Sequence, residues 1–317
     1  DLADARTGLG IVVADFDEQP GNELLIGNDS LPNRLWKLVE TGQNELKKVD
    51  LASVLGCAYG FSGGATGAMG IAVGDFDQDA KMDFHVTNYE NENSNLYLKR
   101  GNGFQDRNRQ FELDKISREL VGFGTQPIDY DNDSDTDLVV ANGHLDNAVS
   151  IRGDFLQPMQ LLCNQGRRFK LLDVSDQTSY WSTPHVGRSL AILDFDRDGL
   201  TDVVMTNVEE PSALLLNRTV TSSHWLQLEL VGIASDRDAV GAEVILRGPR
   251  RTQHAWNVAG DGYLCSNEGV VSFGLGNDDS VFHLTVVWPD GTEQDFADVA
   301  VDQRVIVIQG QASVYQQ

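Results

Sequence analysis

Four segments of this 317-residue chain space their carboxylates as if to surround a single cation: Asp15–Glu23, Asp75–Asp83, Asp129–Asp137 and Asp194–Asp202. In the last three, aspartate stands at positions 1, 3, 5 and 9. These are Asp75, Asp77, Asp79 and Asp83; Asp129, Asp131, Asp133 and Asp137; and Asp194, Asp196, Asp198 and Asp202. Four like charges in so short a loop repel one another unless a positive charge sits among them. Hard oxygen donors on a flexible loop suit Ca²⁺, which takes about 6–8 oxygens, better than Zn²⁺ or copper, which prefer nitrogen or sulfur. The first segment is a degenerate copy. Gln19 replaces the third aspartate and Glu23 the last, leaving Asp15, Asp17 and Glu23 as its charged positions and making it the weakest expected site.

The elements that hold these loops repeat with them. The acidic segments recur after 60, 54 and 65 residues, a period that signals a repeat architecture. Each is preceded and followed by a short Val-, Ile- and Leu-rich run, and further runs and tight turns complete the period. In the second copy these are Gly70–Phe76, Phe84–Tyr89, Asn95–Arg100 and a turn at Gly101-Asn102-Gly103. Three or four short strands per period, with almost no helix signal, predict four-stranded sheets repeated as the blades of a β-propeller. After Asn217 the acidic period stops. From His224 onward the alternation of apolar and polar residues predicts antiparallel strands of a separate small β domain. The expected organisation is all-β: about four blades in residues 1–219, a partial or complete propeller, then a β-sandwich or barrel-like domain in residues 220–317.

With these residues in view, the first part resembles FG-GAP or VCBS repeats, the calcium-loop blades of integrin α-type propellers. The resemblance implies that side chains at positions 1, 3, 5 and 9 hold Ca²⁺ and that position 7 adds a backbone carbonyl, here from Lys81, Asp135 and Leu200. The family favours glycine at position 6; only Gly199 complies, while Ala80 and Ser134 depart from it. A non-glycine residue forced to positive φ there costs about 1 kcal/mol. The second part resembles the ASPIC/UnbV domain through Ser223–Leu230, Asp236–Ala242, Gly262-Tyr263-Leu264, Phe273–Gly276 and Val287–Gly291. Glu90–Tyr97, Gly122–Thr125 and Ala141–Asn147 resemble linkers of the bacterial members of this cartilage acidic protein-like family. Because that family usually has more repeats upstream, the chain is expected to be a trimmed piece or a ring completed by a partner.

Composition narrows the function. With 24 Lys and Arg against 48 Asp and Glu, the formal charge is −24, which argues against nucleic acid as a partner. No run reaches the roughly 20 apolar residues of a membrane span. Cys57, Cys163 and Cys265 lie far apart and are expected to be buried thiols, with one disulfide as the alternative. The six histidines lack zinc spacing, and His85 and His144 are expected to be structural.

Other motifs read as bland. Gly60-Phe61-Ser62-Gly63-Gly64 matches a nucleophile elbow in letters but lacks the strand and helix that strain the serine. Arg152-Gly153-Asp154 is a chance triplet on this reading. The sequons at Asn28, Asn132 and Asn217 matter only in a glycosylating host. Trp225, Trp256 and Trp288 are expected in the core rather than on a sugar-stacking surface.

The expected function is that of an extracellular or periplasmic calcium-binding interaction or adhesion protein with a protein or glycan ligand and structural Ca²⁺. Alternatives are an enzyme acting on polysaccharide or a secondary metabolite, and a subunit of an extracellular assembly. Nothing converges in the sequence to favour an enzyme.

Overall fold

The computed structural model describes residues 7–19, 21–41, 45–145, 154–174 and 180–317, with the side chain of Phe282 left aside. Arg152 and Gly153 lie outside the described residues. The described residues are all-β, forming six sheets with two helical turns of four and five residues between strands.

Four sheets follow one another in sequence. The first comprises β1 (Gly8–Ala14), β2 (Glu23–Asn28), β3 (Arg34–Glu40) and β4 (Leu46–Asp50). The second comprises β5 (Ile71–Gly74), β6 (Asp83–Val86), β7 (Asn95–Arg100) and β8 (Gly103–Asp106). The third comprises β9 (Gly122–Ile128), β10 (Asp137–Asn142), β11 (Gln160–Asn164) and β12 (Phe169–Leu171). The fourth has three strands, β13 (Gly187–Leu193), β14 (Asp202–Asn207) and β15 (Ala213–Leu215). All are antiparallel meanders, so each acidic segment joins the first strand of its sheet to the second.

Neighbouring sheets bury their faces against each other. Val12, Leu25 and Leu35 of the first meet Ile71, Phe84 and Phe104 of the second. Ala72, Leu96 and Leu98 meet Leu138, Leu162 and Phe169, and Val139 and Leu161 meet Leu190, Val203 and Met205. Burial of each large side chain contributes about 1.5–3 kcal/mol. The first strands lie side by side, β1 by β5, β5 by β9 and β9 by β13. Their close approach needs glycine: a Cβ on Gly70 would stand 2.1 Å from the Phe123 carbonyl oxygen. This packing is consistent with a β-propeller in general.

Two further sheets follow. One contains β16 (His224–Val231), β19 (Val271–Gly276), β22 (Gln303–Ile308) and β23 (Tyr315–Gln316). The other contains β17 (Glu243–Arg247), β18 (Thr252–Trp256), β20 (Val281–Val287) and β21 (Glu293–Val299). Their shared core includes Leu228, Val244, Phe273, Leu284, Trp288 and Val305. β16 pairs in parallel with β22, a departure from the antiparallel expectation. Strands at opposite ends of this segment can pair that way because the five strands between them, β17 to β21, supply the long crossover.

Candidate metal centres and the sheet that covers them

Each acidic loop is shaped by its own carboxylates. The position-1 aspartate accepts two backbone amides from positions 5 and 6: Asp79 and Ala80 donate to Asp75, Asp133 and Ser134 to Asp129, and Asp198 and Gly199 to Asp194, at 2.8–3.1 Å. This wraps the chain so tightly that position 6 takes positive φ: 64° at Ala80, 78° at Ser134 and 85° at Gly199. Ala80 and Ser134 therefore carry the strain that glycine avoids. The position-9 aspartate is the rivet. Asp83, Asp137 and Asp202 each accept one amide from position 2 of the loop and one from the end of the third strand or just beyond it, Lys99, Asn164 and Asn217. All three are buried.

The remaining oxygens converge. Carboxylate oxygens of Asp75, Asp77, Asp79 and Asp83 all lie within 4.8 Å of one another, as do those of Asp129, Asp131 and Asp137, of Asp194, Asp196 and Asp202, and of Asp15, Asp17 and Glu23. Asp133 and Asp198 stand outside these groups; each caps the position-7 amide of its loop, that of Asp135 at 2.8 Å and of Leu200 at 3.0 Å. Lys81 holds the same position in the second loop. Such clusters could chelate a divalent cation.

Two physical signs show that these donors fit a cation. Asp15 Oδ1, Asp77 Oδ1 and Asp131 Oδ1 are buried without a hydrogen-bond partner, and a buried carboxylate oxygen left unpaired is costly. Burial, reinforced by neighbouring carboxylates, also drives the acids upward: Asp75 to about 6, Asp83 and Asp129 to about 8, and Asp137 to about 9. Asp79, Asp131, Asp135 and Asp202 are raised for the same reasons. The rise marks carboxylates whose burial is not fully offset by the positive charge beside them.

The first loop has a positive charge of its own, which the spacing of its acids does not reveal. Lys37 Nζ lies 2.7 Å from both oxygens of Asp17 and 3.0 Å from Glu23 Oε1. The β2–β3 register, with Leu24 opposite Trp36, puts Lys37 directly across from Glu23. Burial pushes Glu23 up to about 6 and raises Asp15, so the ammonium offsets their desolvation only in part. In the second and fourth loops an arginine reaches in from the rim: Arg100 to Asp77 and Asp79, Arg218 to Asp196 and Asp198. Lys37→Gln is expected to destabilise the metal-free chain by about 3 kcal/mol, since it leaves the fully buried Glu23 unpaired. It should also add one calcium-binding event. Chemical denaturation in chelator and calorimetric stoichiometry check the two effects; unchanged stability would show that Lys37 is not the loop's counter-charge.

The last two sheets seat on this loop-bearing face. Gln227 on β16 donates to Asp194 Oδ2 at 2.9 Å, and Glu268 accepts the Asp194 amide at 3.0 Å. Arg304 on β22 ties Gln227 and Glu268 together, at 2.9 and 2.6 Å. Gly276 donates to the Asn132 carbonyl at 2.7 Å, and Asn22 to that of Val240 at 2.9 Å. A cavity of about 210 Å³ remains, lined by Asp75, Asp129, Asp194, Asp261 and Glu268 among others. Gln227, Glu268 and Arg304 escape sequence reading because their partners are distant in the chain.

Other sequence expectations meet the structure variously. The three cysteines are free; Cys57 is buried, but Cys163, on β11, and Cys265, in the connection between β18 and β19, are only half-buried. His85 is buried and bonds Thr125 Oγ1 through Nδ1 at 3.0 Å. Trp288 is buried in the core, while Trp225 and Trp256 are half-buried between the last sheets and the loops. The sequon side chains are occupied: Asn28 donates to Pro32, Asn132 to Gly199 and Asn217 to Tyr130.

Residues Gly60–Gly64 form a turn closed by Gly60 N–H to the Gly64 carbonyl, with no helix after Ser62. Every histidine is engaged elsewhere, His185 with Glu210 and His224, His254 and His283 with Asp302, Glu243 and Asp295. Along the first strands, Asn267 bonds Gln126 at 3.0 Å and Cys265 bonds the Leu190 carbonyl at 3.1 Å, a set without a nucleophile and base in contact.

Residues 232–314 match the family described as "ASPIC and UnbV". The chain is also similar to "Cartilage acidic protein 1" of Xenopus tropicalis and of Mus musculus, 25% identical over 288 residues in each, which cover 90% of this chain and 42% of each relative. The Homo sapiens protein of that name is 24% identical over the same length, 41% of it covered. The chain thus spans about 42% of the curated relatives it matches. It has a family-level link to the ASPIC/UnbV domain and a distant homology to cartilage acidic protein 1.

Proposed function

We propose that the chain is a calcium-stabilised interaction protein that works outside the cytoplasm and binds a protein or glycan. Residues 1–219 are read as four FG-GAP/VCBS-like blades and residues 220–317 as an ASPIC/UnbV-like domain seated on their loop face. The observation that carries this reading is the set of buried, unpaired carboxylate oxygens at Asp77 and Asp131, each inside a cluster of acids drawn within 4.8 Å. Asp75, Asp77, Asp79 and Asp83 would hold one ion, Asp129, Asp131 and Asp137 a second, and Asp194, Asp196 and Asp202 a third. Asp133, Asp198 and the position-7 carbonyls would stand close by, and Asp15, Asp17 and Glu23 compete with Lys37 for the fourth place. Bound Ca²⁺ supplies the positive charge that burial of these carboxylates demands.

The protein's own groups do the rest. Position-9 carboxylates fasten each loop to its third strand, and Gln227 and Glu268 fasten the last sheets to the fourth loop. Millimolar calcium, the level met outside cells, would fill even sites weakened by Ala80 and Ser134. Stiffened blades would then present their connecting loops to a ligand.

Calorimetric titration of calcium into chelator-stripped protein tests the proposal. Three saturable binding events are expected, and Asp131→Asn, which keeps the side chain's shape, should remove one. No heat of binding at millimolar calcium, or an unchanged count in the variant, would sink the assignment.

A further inference from the structure

The connection between β18 and β19 runs along the first strands of the four-sheet array. Val13 and Ala259 form a bridge, and Ile71 and Gly262 another. The connection then emerges where β9 and β13 begin, seven residues from Asp129 and Asp194, or roughly 20 Å from the acidic loops at about 3.3 Å per residue. There Tyr263 packs edge-on against the buried Phe123, with ring centroids 5.1 Å apart. Leu264 follows, 75% exposed and at φ +49°. A leucine is strained in that conformation, and an apolar side chain gains nothing from standing in water. Both features are held in place, since Ser189 Oγ donates to the Leu264 carbonyl at 3.2 Å.

Beside this tip lies an arginine held without a carboxylate, in contrast to several of the chain's other partly buried cations. Arg34, Lys37, Lys99, Arg100 and Arg304 each meet a carboxylate. Arg188 meets none among the described residues. Its guanidinium stacks 4.0 Å over Phe123 and donates through Nη1 to the carbonyls of Gly143 and Gly187 and through Nη2 to that of His144. Those bonds use three of five N–H groups, so Nε–H and one Nη2–H are left as a fork that matches a carboxylate. Partial burial holds Arg188 below the usual arginine range, the opposite of what a resident counter-ion would do. Half-buried Tyr89 bonds His144 Nε2 at 3.2 Å, and the buried carboxylate of Glu90 stands 3.9 Å from the same nitrogen.

We propose that Arg188, Tyr263 and Leu264, flanked by Tyr89 and Glu90, form a binding site for a uronic-acid residue of a glycan. The fork of Arg188 takes the sugar carboxylate, the ring of Tyr263 and the exposed Leu264 cover the apolar face of the pyranose, and Glu90 accepts from a hydroxyl. A sugar suits this set better than a protein side chain because cation, aromatic ring and carboxylate acceptor stand together. The overall charge of −24 favours sparsely charged chains, in which acidic and neutral sugars alternate, over densely sulfated ones. The site stands apart from the acidic loops and does not depend on their occupancy.

The test uses the whole chain at physiological salt and a hexasaccharide in which glucuronate alternates with N-acetylglucosamine, followed by titration calorimetry. The same sugar with its carboxylates reduced to alcohols, and a peptide of equal negative charge, serve as comparisons. Binding of the acidic hexasaccharide is expected, at least tenfold weaker for the reduced form and for the peptide. Arg188→Gln should lose at least tenfold and Arg188→Lys less, since an ammonium keeps charge but not the fork. Because Arg188 also braces three carbonyls, Leu264→Gly provides the second variant: it relieves backbone strain, so folding is kept, yet affinity should fall several-fold. Equal binding of acidic and reduced sugars, preference for the peptide, or full affinity in Leu264→Gly and Arg188→Gln would each overturn the proposal.

Discussion

Withdrawing calcium with a chelator at pH 8 is expected to lower the thermal midpoint of this chain by on the order of 15 °C. A ligand at about 100 times its Kd stabilises the native state by ~2.7 kcal/mol per independent site, so three sites give about 8 kcal/mol, and each kcal/mol moves the midpoint of a chain of this size by about 2 °C. The effect should shrink as pH falls. Asp83, Asp129 and Asp137 have native-state pKa values raised to about 8, 8 and 9 by burial, against ordinary values near 4 in the unfolded chain. The metal-free native state therefore binds more protons than the unfolded state between about pH 4 and pH 9. That proton-linked stability is complete below pH 4 and is lost as pH rises through the native values. Chelated protein should be more stable at pH 5 than at pH 8, and calcium should reverse or flatten that slope. Scanning calorimetry at the two pH values, with and without chelator, decides it: an unchanged midpoint at pH 8 would remove calcium from the structural role proposed for it.

The acidic loops are legible in the sequence because everything that shapes them is local. An aspartate at position 1 can accept the amides of positions 5 and 6 only in a tight loop, and the glycine at position 6 of the fourth loop points to the positive φ that Ala80 and Ser134 also adopt. Strand order within each sheet is legible for the same reason, since meanders join neighbours by short turns. What escapes is long-range. Lys37 becomes a counter-charge only once the register of β2 and β3 places it opposite Glu23. Gln227 and Glu268 reach Asp194 across 33 and 74 residues, and no spacing rule connects them. The parallel pairing of β16 with β22 is equally silent, because alternation of apolar residues records which face is buried and not which strand lies alongside. The tip at Tyr263 and Leu264 is readable as glycine-rich chain in Gly260–Gly262, but its course along four first strands depends on packing between distant segments.

Gly274→Ala is expected to add a methyl that the seat of the last two sheets cannot accommodate. A Cβ on Gly274 would stand 2.0 Å from Asp129 Oδ2 and 2.6 Å from the Cα of Asn132, distances that atoms do not tolerate. Neither side can yield easily. Gly274 is held in β19 opposite Trp225 of β16, between the buried Phe273 and Leu275, while Asp129 is pinned by the amides of Asp133 and Ser134. Overpacking of this kind destabilises by about 1–3 kcal/mol, and displacement of Asp129 should further weaken calcium binding at the third loop. Gly269→Ala is the matched control, because a Cβ there meets nothing within 4 Å. Its effect should stay within about 0.5 kcal/mol. The expected pattern is a lowered midpoint and a weakened calcium event in Gly274→Ala alone. If the two variants proved equal in denaturation and in calcium titration, β19 would not be resting on the third acidic loop, and the loops could not be coupling metal to the position of the C-terminal sheets.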